Sequence, residues 1–258
     1  MHLNGGTHIV VEFKTSEQCR VELVAHTMSV DKEGFLQLAD YLPVSAARAS
    51  FGREDKTGDD PKADLKLMKY LADHQHLTPF EYNHATFLVE CPLFIRSQIH
   101  RHRTFAFNEI SRRYTSEEIA FWIPDKWRAQ SKSNKQASTD DEVRNEIWVD
   151  TDFGDGGTLL RTEPNDSYYE GVDSALWYYE QMLASGCCRE QARAVLPQSL
   201  LTRFYMGGSL RNWVHFLKLR LDSHAQREVQ IVARKIESQL RELWPEAMGV
   251  LLPHEEAN

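Results

Sequence analysis

Residues 101–111 read RHRTFAFNEIS: Arg101, His102 and Arg103, then seven residues, then Ser111. Around this stretch, residues 96–114 hold Arg96, Arg101, Arg103, Arg112 and Arg113 against the single Glu109. Arginine suits planar, bidentate contact with phosphate or carboxylate, which lysine meets only as a point charge. A cationic run is ordinarily a solvated face. Here the guanidiniums are interleaved with Phe105, Phe107 and Tyr114, which makes a purely solvated face the weaker reading.

The surrounding chain is acidic, but not evenly so. Over 258 residues the formal net charge is -8. Residues 139–170 contain ten acids against Arg144 and Arg161, and so carry that whole charge. The remainder is neutral on balance, with the arginine cluster inside it. An acidic total argues against nucleic-acid binding only where the charge is spread, so it excludes little here.

Other exclusions are firmer. No apolar run approaches the roughly 18 residues of a membrane helix. The start, MHLNGGTHIVVEF, has neither the basic leader nor the apolar core of a signal peptide. Four cysteines without a small secreted framework point to free thiols in a reducing cytoplasm. The length suits one large domain or two small ones. We read a single domain over 1–258 with an acidic surface excursion at about 131–166.

Residues 7–14 and 20–26 are β-rich and flank a polar Ser16-Glu17-Gln18 turn, which predicts a hairpin or paired strands. Residues 35–51 predict mostly helix, 56–61 a loop, and 63–75 an amphipathic helix through Leu65, Met68 and Leu71. Residues 84–90 predict a buried strand ended by Pro92. Residues 93–102 predict a helix with Gln98, Arg101 and His102 on one face. Beyond the excursion, 168–185 predict a helix stopped by Gly186, and 189–206 further helix interrupted at Pro197. Residues 209–243 form the longest periodic segment. Within it Trp213, Phe216, Arg220, His224 and Arg227 fall in one helical row. That row fits either a subunit interface or a pocket for a flat, anionic ligand.

Much familiar chemistry is missing. Cys19, Cys91, Cys187 and Cys188 lack a local signature of an activated thiolate and read as small buried hydrophobes. There is no G-x-S-x-G nucleophile elbow, no P-loop and no G-x-G-x-x-G fingerprint. His74-Gln75-His76 and His100-Arg101-His102 are H-x-H pairs, but neither sits in a carboxylate- or cysteine-rich group. His102 is also flanked by two guanidiniums that repel a cation, so no metal is expected.

Arg-His-Arg, seven residues and a Ser resembles the signature of the flavin-dependent thymidylate synthases. The flanks extend the likeness, with Gln98 before it and Arg113-Tyr114 after it. Upstream, Ala46-Ala47-Arg48-Ala49-Ser50-Phe51 and His76-Leu77-Thr78-Pro79-Phe80-Glu81 are similar to further family segments. Downstream, so are Ala192-Arg193 with Val195-Leu196-Pro197, and Arg220 with His224-Ala225. The resemblance runs from about residue 21 to 240, interrupted by the acidic stretch.

The resemblance implies an α+β fold: a twisted, mainly antiparallel sheet flanked by helices, with a long C-terminal helix. It implies a homotetramer whose active sites combine several subunits. The implied reaction is reductive methylation of dUMP to dTMP, with carbon from 5,10-methylenetetrahydrofolate and hydride from NADPH-reduced FAD. No protein nucleophile takes part. Instead a guanidinium, implied to be Arg220, stabilises the uracil anion left when N3 loses its proton, which enriches C5. The implied dUMP contacts are Gln98, Arg101, Glu109, Ser111, Arg112, Arg113, Arg193 and Arg220. The implied FAD contacts are Ser50, Thr78, Arg101, His102, Arg103, Glu109, Ser209, Arg211, His215 and His224. Neither nucleic acid nor membrane is an implied partner.

The chain departs from the family at a few places. Asn is frequent where Ser209 and His215 stand, a Gly is common at Arg112, and Phe80-Glu81-Tyr82 replaces F-E-H. Two rivals follow from the residues alone. One is a single-stranded nucleic-acid-binding module using the Arg/aromatic segment 96–114. The other is a metal-dependent nucleotide hydrolase built on the H-x-H pairs.

Overall fold

The computed structural model describes residues 11–31, 33–116, 118–132, 138–143, 147–150 and 159–253. The first strands are β1 (Glu12–Lys14) and β2 (Val21–His26). They do not form the expected hairpin: β1 pairs in parallel with Ala120–Trp122, and β2 pairs antiparallel with His84–Pro92. Residues 7–10 lie outside the described residues.

Strands β3 (Met28–Val30) and β4 (Leu36–Leu38) form an antiparallel hairpin, and α1 covers only Leu42–Ala49. The helix expected over 35–51 therefore opens as a strand and is helix only from Leu42. Asp31 Oδ1 accepts from the backbone N–H of Phe35 at 2.7 Å, and Gly34 sits at φ +92, so a turn is closed where helix was expected to begin. Helix α2 (Pro61–Asp73) starts two residues before the expected 63, inside the segment expected as loop: Asp60 caps the N–H groups of Lys62 and Ala63, and Pro61 occupies the first turn.

The order continues with β5 (His84–Pro92), α3 (Leu93–Ile99), β6 (Ala106–Glu109) and β7 (Ala120–Trp122). Then come β8 (Arg128–Gln130), β9 (Ser138–Glu142), β10 (Ile147–Asp150) and β11 (Leu159–Thr162). The described part of the acidic stretch thus holds strands β9, β10 and β11, which its composition hid; β9 pairs antiparallel with β8 just before the stretch, and β10 with β11. Glu146, Asp152 and Asp155 lie outside the described residues.

Helix α4 (Pro164–Ala184) ends at Gly186, as expected. The four-residue α5 (Arg189–Ala192) and a 3-10 turn then lead into strand β12 (Leu201–Ser209), not into further helix. Phe204 and Met206 are buried while Tyr205 between them is exposed, the period-2 pattern of a strand. The periodic segment after it is divided into α6 (Leu210–Arg220) and α7 (Arg227–Leu243), followed by α8 (Pro245–Leu251). Asp222 causes the break: its carboxylate accepts from His224 N at 2.8 Å and its carbonyl from Ala225 N at 2.9 Å. Trp213 and Phe216 are fully buried, so the row of aromatics and cations ends as core at one end and as a turn at the other.

The described chain forms two compact units. One comprises the described residues of 11–18, 92–94 and 110–202; the other comprises those of 19–91, 95–109 and 203–253. The first has a core of Ile119, Phe121, Val172, Leu176, Tyr179, Ala192, Leu196 and Leu200. The second holds the four-stranded sheet in the order β2-β5-β12-β6. Phe87, Phe105, Phe204, Trp213 and Phe216 are buried in it. A Cβ at Gly208 would lie 2.6 Å from the Phe105 ring, so that strand position admits no side chain. On the outer strand β2, Gln239 of α7 accepts from Leu23 N at 2.9 Å and donates to Val21 O at 3.2 Å. Lys235 donates to Cys19 O at 3.0 Å. The fold is α+β, and among the described residues no helix is long and apolar enough to cross a membrane.

Candidate active site

The arginine-rich motif follows α3 and runs through β6; Arg101, His102 and Arg103 belong to the unit with the sheet, and Ser111 to the other. His102 is buried, with its ring against Phe216 at a centroid distance of 5.0 Å and 6.1 Å from the ring of His215. Arg220, the last residue of α6, donates from Nε to His102 Nε2 at 3.0 Å and from Nη2 to Gln98 O at 3.2 Å. A guanidinium cannot accept, so His102 must present a lone pair at Nε2 and carry its proton on Nδ1.

The electrostatics agree. Burial, then the charge of Arg220 and then His215, push the His102 pKa down to about 4. Burial and the nearby Arg101 also lower the Arg220 pKa, though a guanidinium remains charged. A neutral imidazole thus fixes the plane of a charged guanidinium whose Nη1 group has no protein acceptor among the described residues.

Beside this pair lies a cavity of about 1120 Å³, lined by Glu81, His84, Thr104, Ser209, Arg211, Asn212, His215 and Lys218 among others. Its volume exceeds the usual range of small-molecule pockets, about 300–1,000 Å³. Ser209 caps α6 by accepting from Asn212 N at 3.4 Å, which places Arg211 and His215 on successive turns of the helix. Arg211 is paired with Glu81. The cations and hydroxyl suit a diphosphate, and the size suits a dinucleotide.

Of the expected flavin positions, Ser209, Arg211 and His215 line this cavity. Ser50, Thr78, Arg101, Arg103 and His224 are exposed elsewhere, and His102 is bonded to Arg220. Glu109 accepts from Arg96 at 2.5 Å. His84, Asn212 and Lys218 were missed. Lys218 was findable, since it follows Arg211 and His215 at steps of four and three on one helix face.

The expected dUMP positions divide between the units. Gln98, Arg101, Glu109 and Arg220 belong to the unit with the sheet; Ser111, Arg112, Arg113 and Arg193 belong to the other. Arg112 is buried and donates to Glu118 O at 3.1 Å, while Arg113 pairs with Glu190 at 3.1 Å. Ser111 Oγ accepts from Arg113 N at 3.2 Å, closing a turn and not capping a helix. Arg193 donates from Nε to Glu190 O at 3.2 Å.

Neither H-x-H pair forms a metal-type cluster. His74 stacks on Tyr70 at 4.1 Å, and His100 packs on Phe107 at 4.2 Å. Among the described residues no group of three or more His, Cys, Asp or Glu is placed to hold a metal ion. Cys19 and Cys91 are buried, as expected, but Cys187 and Cys188 are exposed. Their position between the end of α4 and the start of α5 leaves them in a surface connection and not in the core.

Comparison with known proteins agrees with this geometry. The family model of the thymidylate synthase complementing protein matches residues 35–246. A flavin-dependent thymidylate synthase of Thermosipho africanus (strain TCF52B) is 38% identical over 218 residues, covering 83% of this chain and 88% of that protein. One from Thermus thermophilus is 37% identical over 233 residues, 88% of this chain and 79% of that protein. Among solved structures, the UMP/dUMP methylase PolB from Streptomyces cacaoi bound with 5-Br dUMP superposes with a TM-score of 0.71 at 30% identity. That match covers 93% of this chain and 96% of the other. The chain belongs to the flavin-dependent thymidylate synthase family.

Proposed function

We propose that the protein is an FAD-dependent thymidylate synthase that methylates dUMP to dTMP. The observation that carries the reading is Arg220, a half-buried guanidinium held at two donors, by His102 and by Gln98 O. Such a fixed cation stabilises an anion without having to reorganise, which is what favouring loss of the uracil N3 proton requires. The cysteines of the same unit support a route with no protein nucleophile. Cys19 and Cys91 are buried, and burial pushes the Cys91 thiol well above its usual range, the wrong direction for attack.

The large cavity fits FAD, with Arg211, His215 and Lys218 as cations for its phosphates and Ser209 and Asn212 as neutral donors. When bound and reduced, the flavin supplies the hydride of the new methyl group. NADPH as the reductant and 5,10-methylenetetrahydrofolate as the carbon donor complete the proposal. For dUMP, Gln98, Arg101, Glu109 and Arg220 form one set of contacts, and Ser111, Arg112, Arg113 and Arg193 another. The two sets need not meet within one chain, because the proposed enzyme is a homotetramer with shared active sites. Light scattering is expected to give four times the chain mass; a fully active monomer overturns the assembly.

The deciding experiment is tritium release from 5-tritiated dUMP. Release that depends on both reduced FAD and methylenetetrahydrofolate is expected from the purified, yellow protein. A colourless protein that binds oligonucleotides with steep salt dependence instead overturns the reading in favour of a nucleic-acid-binding module.

A further inference from the structure

Cys187 and Cys188 are adjacent, free and exposed, and the proposed reaction gives neither of them work. They follow Gly186, which takes φ +92 to turn the chain out of α4. They line a groove of about 520 Å³ together with Arg113, Leu183, Arg189 and Glu190. The two thiols are not equivalent. Ser185 Oγ donates its only hydrogen to Met182 O at 2.9 Å, so towards Cys187 Sγ, 3.7 Å away, it presents lone pairs. The Cys187 thiol is thereby the donor of that contact. Cys188 holds no such hydrogen bond, and its backbone carbonyl accepts from Gln191 N and Ala192 N, each at 3.0 Å. It therefore begins the turn that ends in Arg193.

We propose that this groove is a thiol-modification site, in which Cys188 exchanges with a low-molecular-weight disulfide that carries carboxylates. Arg189 lines the groove and supplies the matching charge, while Arg113 is already paired with Glu190 at 3.1 Å. In the exchange Cys188 gives its proton to solvent and its sulfur attacks one sulfur of the disulfide. A new S–S bond forms, the ligand's own S–S bond breaks, and the departing half leaves as a thiolate that solvent protonates. The Cys188 sulfur is oxidised and the departing sulfur reduced, so no further reactant is needed. A second consequence rests on the function proposed above. The attached anion shares the groove with Arg113 and lies beside Glu190, whose carbonyl holds Arg193; both arginines are proposed to serve dUMP, so the anion competes with the nucleotide's phosphate for them.

The test treats the full-length, flavin-loaded protein with glutathione disulfide or with uncharged 2-hydroxyethyl disulfide, and follows intact mass and peptide maps. One adduct at Cys188 is expected, retained in Cys187→Ser and lost in Cys188→Ser. Arg189→Gln is expected to slow the glutathione reaction about fivefold, the size of one exposed charge pair, and to leave the uncharged reaction unchanged. An adduct on Cys187, no adduct, or equal sensitivity of both reagents to Arg189→Gln overturns the site. The adduct is expected to weaken dUMP binding about tenfold, the loss of one charge-assisted hydrogen bond, with recovery on adding dithiothreitol. Unchanged dUMP affinity in the adduct overturns the coupling. Unmodified protein that fails to bind dUMP overturns the function above and leaves the site standing.

Discussion

Arg220→Ala is expected to lose turnover by a factor of about 10²–10³ while the protein keeps its flavin. Arg220 ends α6 and is absent from the lining of the large cavity, so removing its side chain leaves the proposed flavin contacts of Arg211, His215 and Lys218 in place. What is lost is the one guanidinium held by both His102 and Gln98 O. Loss of a preorganised donor to a developing anion costs about 3–4 kcal/mol in the transition state and much less in binding. Arg220→Lys is expected to recover little. An ammonium is a point charge and cannot hold the Nε contact to His102 while offering a planar edge to the pyrimidine. Tritium release and flavin absorbance, measured on the same samples, separate the effects. Undiminished release removes Arg220 from the mechanism, and loss of flavin with turnover assigns it a binding role instead.

The second large effect is on stability and belongs to His102. Its pKa in the folded protein is about 4, against an ordinary value of 6.5. Between those values the unfolded chain binds the proton and the folded chain does not. Stability is therefore fully present above about pH 6.5 and is lost as pH falls towards 4. Between pH 7 and pH 4.5 this one residue is expected to withdraw about 2 kcal/mol. His102→Gln does not titrate, and its amide oxygen can still accept from Arg220. Urea unfolding of both proteins at the two pH values is expected to show the wild type losing about 2 kcal/mol more than the variant. Equal losses would falsify the neutral, accepting state of His102.

The motif that marks the family was legible because its parts are local. Arg101, His102, Arg103 and Ser111 stand in one short segment, and no packing is needed to notice their spacing. Helix α2 was legible for the same reason, since Asp60, Pro61 and the apolar step to Met68 are all near neighbours. What stayed hidden depends on distant partners. Residues 201–209 hold Gly207 and Gly208 inside the element and not at a boundary, and only the sheet neighbours β5 and β6 make them a strand. The break between α6 and α7 is a contest between helix and the Asp222 turn, and apolar periodicity does not register a side chain bonding to its own backbone. The partnership of His102 with Arg220 spans 118 residues of chain, so the motif revealed both members but not their bond. Strands β9 to β11 were masked by the density of acids around them, which composition reads as solvated coil.

The contacts from Lys235 and Gln239 to strand β2 have a consequence far from chemistry. A sheet whose outer strand shows unpaired N–H and C=O groups is a template on which another molecule can grow. Here the backbone groups of Cys19, Val21 and Leu23 are occupied by side chains of the protein's own helix α7. The sheet is terminated by two polar side chains and not by a further strand. Those two residues bear on how concentrated the enzyme can become before strands of neighbouring molecules begin to join, a limit on its colloidal life that no assay of turnover records.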